Sequence, residues 1–234
     1  MFHRLCSARI PRNAKILEIG AGPENKTSAH LASIGTTVGV DISGEIQLNR
    51  SVSSAVVYDG QRLPFDDASF DCCVSNYVIE HIKNPESHFR EVARVLRPGG
   101  RYCFRTPNLW HYVALSSRLL PHAIQKRLAN PLRALDSSAH EPYPTQYRAN
   151  TRHSLSRLCG QSALDIETIL MIEAEPSYGR CHPLVFFPMM IYERLVNVWS
   201  ALQIFRANIF AVVVKRYTDQ NSLNRGRAKV MSYC

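Results

Sequence analysis

The chain has 234 residues, enough for one large domain or one domain with an insertion, and at that length no metal or disulfide staple is needed to complete a core. Charged residues make up 20% and apolar residues 45%, with 11 Gly and 13 Pro, a composition that excludes collagen, coiled coil and wholesale disorder. Lys and Arg number 28 against 19 Asp and Glu, a formal charge of +9 that favours anionic partners but does not set the fold.

In chain order, the first strand is predicted over Lys15 to Ile19 and runs into Gly20-Ala21-Gly22. Asn25 reads as the N-cap of a helix with apolar positions Ala29, Leu31 and Ile34, and Gly35 reads as its C′ residue. A second strand, Thr37 to Val40, ends in Asp41; a third, Ala55 to Tyr58, ends at Asp59-Gly60; a fourth, Phe70 to Val74, ends near Asn76. The next helix opens at Asn84-Pro85, a cap followed by proline at the first helical position, and buries the stripe Phe89, Val92, Ala93, Leu96. Pro98-Gly99-Gly100 ends it, and a fifth strand runs from Arg101 to Arg105.

The rhythm breaks between Asn108 and about Asn150. Tyr112, Leu115 and Leu119 fit one short helix, and Ile124 with Leu128 fit another. Alternation resumes with a helix capped by Thr151, a strand over Ile166 to Ile172, a helix over about Met189 to Leu202 and a strand over Ile209 to Val214. Residues 217–234 are polar and aperiodic, so a disordered tail is expected. Strands alternating with helices predict a mainly parallel sheet whose ligands lie beyond the strands' carboxyl ends.

The seven cysteines are odd in number and form no C-x-x-C pair, which suits reduced thiols in the cytoplasm. The first ten residues hold Arg4 and Arg9 and no long apolar run, unlike a secretory signal. The most apolar stretch, 184–214, is broken by Glu193, Arg194 and Arg206, so no membrane span is expected.

Chemistry concentrates at the strand ends. Gly20 and Gly22 remove Cβ atoms where the chain turns and a ligand could approach backbone, although a glycine pair alone also fits an ordinary strand-to-helix turn. Glu18 sharpens the case: a pyrophosphate wants a bare helix N-terminus without nearby negative charge, whereas S-adenosylmethionine brings an ammonium and a sulfonium that a carboxylate suits. Asp41 stands 21 residues after Gly20, the spacing of an acid that accepts from ribose hydroxyls. Asp59 is placed to accept from an adenine amino group.

The ordered set Glu18-Ile19-Gly20-Ala21-Gly22, Val40-Asp41, Asp59 to Phe65, Ser69-Phe70-Asp71, Ile79-Glu80-His81-Ile82 and Arg94 to Gly100 resembles the class I S-adenosylmethionine-dependent methyltransferases, specifically their type 11 domain, from about Lys15 to Asn108. The resemblance implies an α/β, Rossmann-like three-layer sandwich over 1–216, with a seven-stranded, mostly parallel sheet whose last strand is antiparallel, and a helical insertion after strand five. It also implies a cofactor, S-adenosylmethionine, with Gly20, Ala21 and Gly22 along its methionine part, Glu18 at the ammonium, Asp41 and Ile42 at the ribose, Asp59 and Gly60 at the adenine, and Asn76 from strand four. Pro23 and Asn25 depart from the glycine motif, and the 13 or so residues before strand one leave the N-terminal helix short or absent. Some quinone-modifying relatives bind metal through E-x-x-E-H, but Tyr77 replaces the first Glu here, so no metal is expected. Glu80 and His81 then frame the acceptor side, with His81 as a candidate base or as a wall of the pocket.

The expected function is methyl transfer to a small or amphipathic metabolite. The insertion over 108–150 is the expected acceptor lid; from 108 to 157 seven Lys or Arg face Asp136 and Glu141, which suits a solvated basic face, an anionic ligand or a membrane surface. No strong nucleic-acid signal accompanies it. An RNA or protein methyltransferase, a non-catalytic binding module and, disfavoured by Glu18, a nicotinamide dehydrogenase are the rival classes.

Overall fold

The computed structural model describes residues 1–119, 144–173 and 183–217. Its centre is a seven-stranded sheet of β1 (Lys15–Ile19), β2 (Thr36–Asp41), β3 (Ser54–Val57), β4 (Phe70–Asn76), β5 (Leu96–Pro107), β6 (Leu164–Ile172) and β7 (Asn208–Lys215), in the order β3-β2-β1-β4-β5-β7-β6. The first five strands pair in parallel, and β7 lies antiparallel between β5 and β6. Strand order reverses between β1 and β4, which opens a crevice at their carboxyl ends.

Period-two alternation divides the core between the two faces. On one face Leu17, Ile19, Cys73, Tyr102 and Phe104 pack on Phe89 and Val92 of α3 (Pro85–Val95) and on Leu155 and Leu158 of α5 (Arg152–Gln161). On the other, Ile16, Cys72, Val74, Cys103 and Val212 pack on Phe2 and Cys6 of α1 (Phe2–Arg9) and on Leu31 of α2 (Lys26–Ala32). Helix–sheet–helix layering follows. The described cysteines, 6, 72, 73, 103 and 159, are free and buried, as small apolar residues are.

The caps act as their residue types require. Asn25 Oδ1 accepts from the N–H groups of Thr27 and Ser28 at 2.8 and 3.1 Å, Asn84 Oδ1 from Ser87, and Thr151 forms a reciprocal capping box with Ser154.

The N-terminal helix is short, eight residues, and holds because Phe2 and Cys6 find apolar partners under the sheet. Three expectations are corrected. Gly35 is needed for close approach rather than for a left-handed cap, since a Cβ there would lie 2.2 Å from the Ala14 carbonyl oxygen. Pro98-Gly99-Gly100 lies inside β5, where the register jumps from Phe70↔Leu96 to Cys72↔Arg101 and Gly99 takes φ 76°. The late helix, α6, is Pro183–Val198, followed by a 3₁₀ turn over Ser200–Phe205. Arg206 ends it by donating to the carbonyls of Val196 and Asn197 at 3.0 and 3.3 Å.

The helix expected over Tyr112 to Leu119 is α4 (Tyr112–Leu119), the start of the insertion. The ends of the insertion are pinned together: Leu109 N–H donates to the Asn150 carbonyl at 2.8 Å, and Asn150 Nδ2 donates to Pro107 O at 2.9 Å. The expected helix at Ile124 and Leu128, most of the lid and nearly all of the tail lie outside the described residues.

Candidate active site

β1 delivers Glu18 and then turns through Gly20 (φ 70°) and Gly22 (φ 55°). A Cβ on Gly20 would stand 2.4 Å from Val78 Cγ2, whereas one on Gly22 would meet nothing within 4 Å. The turn is clamped to β2: Gly20 and Ala21 N–H donate to the Val40 carbonyl at 2.8 and 3.3 Å, and Gly22 N–H donates to Asp41 Oδ2 at 2.9 Å. Asp41 Oδ1 accepts from Ser43 N–H at 2.8 Å. Every N–H of the glycine turn therefore serves a protein acceptor, and Asn25 already caps Thr27 and Ser28 at the α2 N-terminus. A pyrophosphate would find few donors here.

A cavity of about 400 Å³ lies between α1, the start of α2 and the carboxyl ends of β1, β4 and β5, lined by Phe2, His3, Glu18, Thr27, Asn76 and Arg105 among others. Glu18 is 3% exposed, and among the described residues its Oε2 has no hydrogen-bond partner. Burial pushes its carboxyl up to about 7, against a lowering bond from the Ser28 hydroxyl. Arg105 faces the same space. Its Nε donates to Asn76 Oδ1 at 2.7 Å, and its guanidinium lies 4.2 Å from the Tyr77 ring centroid and 5.4 Å from that of Phe2. Asn76 Nδ2 in turn donates to Thr27 Oγ1 at 2.9 Å, and His3 Nε2 lies 3.3 Å from the same oxygen. A buried acid and a caged cation thus share one cavity, with no ion pair between them among the described residues.

That donor set fits the amino-acid end of S-adenosylmethionine, whose ammonium would meet Glu18 and whose carboxylate would meet Arg105. Of the residues singled out from the sequence, Glu18, Gly20 and Asn76 line the cavity. Ala21 is buried instead, its Cβ 3.1 Å from where a Cβ on Gly39 would stand. Asp41 and Gly22, joined to each other through the Gly22 N–H, are outside the cavity's lining. Ile42, 53% exposed, and Gly60, where a Cβ would lie 3.2 Å from Ile42 Cγ2, make an apolar ledge past the ends of β2 and β3. Asp59 is exposed on that ledge; its Oδ1 accepts from the N–H groups of Gln61 and Arg62 at 2.8 and 3.2 Å, which hold its carboxyl below the usual range.

After β4 the chain passes through Tyr77, a bulky residue at φ 59° held by a 2.7 Å bond from its hydroxyl to Asn208 Oδ1. The turn Ile79–His81 follows. Glu80 is buried, accepts from Thr106 Oγ1 at 3.1 Å, and is pushed up to about 7 by that burial. Its main-chain carbonyl takes the N–H groups of Gln146 and Tyr147, which docks the end of the insertion beside the site. His81 Nδ1 lies 3.2 Å from the Pro144 carbonyl and Nε2 lies 4.0 Å from Glu80 Oε1, outside the cavity's lining. Sequence reasoning missed Arg105, Phe2 and His3. The available signal for Arg105 was a charge near the carboxyl end of a buried strand.

The family profile described as a methyltransferase domain matches residues 17–104. This stretch is a class I methyltransferase domain. Domains of this class take S-adenosylmethionine as cofactor, in keeping with the donor set above. The chain is 35% identical over 127 residues to a demethylmenaquinone methyltransferase of Corynebacterium glutamicum, a match covering 50% of this chain and 55% of that one. It is 33% identical over 114 residues to a malonyl-[acyl-carrier protein] O-methyltransferase of Erwinia billingiae, covering 44% and 45%. The matches thus span about half the length of these relatives. A solved S-adenosylmethionine-dependent methyltransferase from Methanosarcina mazei superposes with a TM-score of 0.57 over 92% of this chain and 98% of the other at 20% identity, a likeness of fold.

Proposed function

We propose that this chain transfers a methyl group from S-adenosylmethionine to a small or amphipathic metabolite. The observation that carries this is the Glu18 carboxylate, buried in the cavity with an unpartnered oxygen, across from the caged Arg105. The bound donor supplies an electrophilic methyl on a sulfonium, and the chain's residues hold, orient and desolvate.

Glu18 accepts from the donor's ammonium. Arg105, fixed through Nε by Asn76, turns the rest of its guanidinium to the carboxylate. Asp41 accepts from the ribose, and the Ile42–Gly60 ledge carries the adenine with Asp59 at its amino group. Because the Pro144 carbonyl can only accept, His81 Nδ1 donates to it, and the ring's other nitrogen, Nε2, lies 4.0 Å from Glu80 Oε1. That nitrogen is the candidate to take a proton from an oxygen acceptor, a contribution of about 10² to 10⁴-fold. The relatives are named for demethylmenaquinone and for malonyl-[acyl-carrier protein], neither a nucleic acid, and the first supports an amphipathic metabolite as acceptor.

Calorimetric titration with S-adenosylhomocysteine tests the reading. Wild-type protein should bind it, and Arg105→Met should weaken binding by about 1.5 to 3 kcal/mol. Absence of heat with the wild type, or an unchanged Arg105→Met, refutes the assignment.

A further inference from the structure

The loop between β3 and β4, residues 58–69, carries Asp59 and Gly60 and forms no helix or strand of its own. Helix α3 holds it. Arg94, in the last turn of α3, has five guanidinium N–H groups and makes five bonds with them. Nε and Nη2 meet Glu91 Oε1 and Oε2 at 2.8 Å each, a paired contact that fixes the plane of the fork. The other N–H groups then reach the loop: Nη2 donates to the Leu63 carbonyl at 2.9 Å, and Nη1 donates to the Phe65 carbonyl at 2.7 Å and to Asp67 Oδ1 at 2.9 Å. Glu91 grips the same stretch, since its Oε2 accepts from Leu63 N–H at 3.0 Å. The pair is largely withdrawn from solvent, its side chains 19 and 17% exposed, and the bond from Arg94 keeps the Glu91 carboxyl below the usual range. Its helix is fixed in turn, because Phe89, Val92 and Val95 are fully buried.

The held stretch adjoins the donor site. Asp59 Oδ1 accepts from the N–H groups of Gln61 and Arg62, so the segment that orients Asp59 runs directly into Leu63, whose N–H and carbonyl are both taken by the Glu91–Arg94 pair. Leu63 is buried and the Phe65 ring packs edge-on against Phe70 at 5.0 Å, which anchors the loop on its apolar side as well. We propose that Arg94 is the positioning residue for recognition of the donor's base: through Glu91 and the backbone of Leu63 and Phe65 it holds Asp59 where the carboxylate accepts from the adenine 6-amino group. This rests on the placement of adenine at the Ile42–Gly60 ledge. Arg94 acts through the loop and not on the ligand. With Oδ1 committed to its turn, Oδ2 is the oxygen that reads the base, and a hypoxanthine ring, which carries a carbonyl where adenine carries the amino group, sets oxygen against oxygen there. A lysine does not replace Arg94, because an ammonium has no planar fork to lie along a carboxylate while reaching two carbonyls.

The test is calorimetric titration of the full chain with S-adenosylhomocysteine and with its deaminated analogue, S-inosylhomocysteine, read as the ratio of the two affinities. Wild-type protein should prefer the adenosyl compound by about tenfold or more, and Asp59→Ala should bring the ratio close to one. Arg94→Met and Arg94→Lys should each lower the ratio about threefold or more, and combining either with Asp59→Ala should lower it no further than Asp59→Ala does alone. Thermal melts show which variants are folded at the titration temperature; where those at Arg94 are not, the milder Glu91→Gln should lower the ratio in the same direction. The proposal is overturned if the folded variants weaken both ligands by the same factor, since the pair then serves folding alone. A wild type that binds the two ligands equally, or an Asp59→Ala that keeps the preference, refutes the placement of adenine and the proposal with it. A wild type that binds neither refutes the donor reading on which both stand.

Discussion

At the scale of single residues, Glu18 has the largest consequence. Its carboxyl, raised to about 7 by burial, is partly protonated near neutrality before the donor binds, and an ammonium is held well only by the ionised form. Donor binding below that value must expel a proton. Affinity for S-adenosylhomocysteine should therefore fall about tenfold per pH unit below 7 and level off above it. Glu18→Gln should bind weakly with a flatter profile. Titrations across that range check this, and a level wild-type profile places the ammonium elsewhere.

At the scale of elements, the strand–turn–helix from β1 to α2 separates folding from binding within three residues. Both glycines occupy left-handed backbone, which costs an alanine about 1 kcal/mol. Gly20→Ala adds a collision with Val78, whereas Gly22→Ala meets open space on the ligand side. Gly20→Ala should accordingly lower the melting temperature more, and Gly22→Ala should lose more donor affinity for each degree of melting temperature lost. Thermal melts paired with titrations decide it; the opposite ranking would mean that Gly22 does not face the donor. The insertion is anchored in a similar economy of contacts. Asn108 Nδ2 donates to the carbonyls of Ile204 and Arg206 at 2.7 Å each, and Asn150 Nδ2 donates to Thr106 Oγ1 at 2.6 Å, so one end of a long excursion is tied to the turn before β7 and the other to β5.

At the scale of the molecule, buried titratable groups set how stability follows pH. Glu18, Glu80 and Glu173 are each raised to about 7 by burial. A raised carboxyl stabilises fully below its unfolded value, and that contribution is lost as pH rises through the folded value. His88 and His111 are lowered to about 4 by burial, so their contribution is present above the unfolded value of 6.5 and is lost as pH falls towards 4. The two sets oppose each other between about pH 4.5 and 6.5, and above that only the carboxyl loss continues. Glu80→Gln keeps the neutral shape and removes one carboxyl. Its stability relative to wild type should grow from about pH 5 to about pH 8, by up to about 3 kcal/mol. Denaturant melts at the two pH values measure it, and a constant difference would show Glu80 ionised throughout.

The sequence by itself determined the layer order, the caps at Asn25, Asn84 and Thr151, and the acids at the strand ends, because these follow from periodicity and from side chains that bond their own neighbouring backbone. It also determined that Glu18 sits beside a glycine turn. Only the tertiary structure decided that Glu18 is buried without a full set of partners, that Arg105 comes from β5 to face it, and that α1 closes the cavity with Phe2 and His3. It also decided that Asp41 holds Gly22 and Ser43, and that Ile42 and Gly60 meet. Those relations join residues tens of positions apart through strand pairing and helix docking, and no local pattern encodes which distant side chains a fold brings to one crevice.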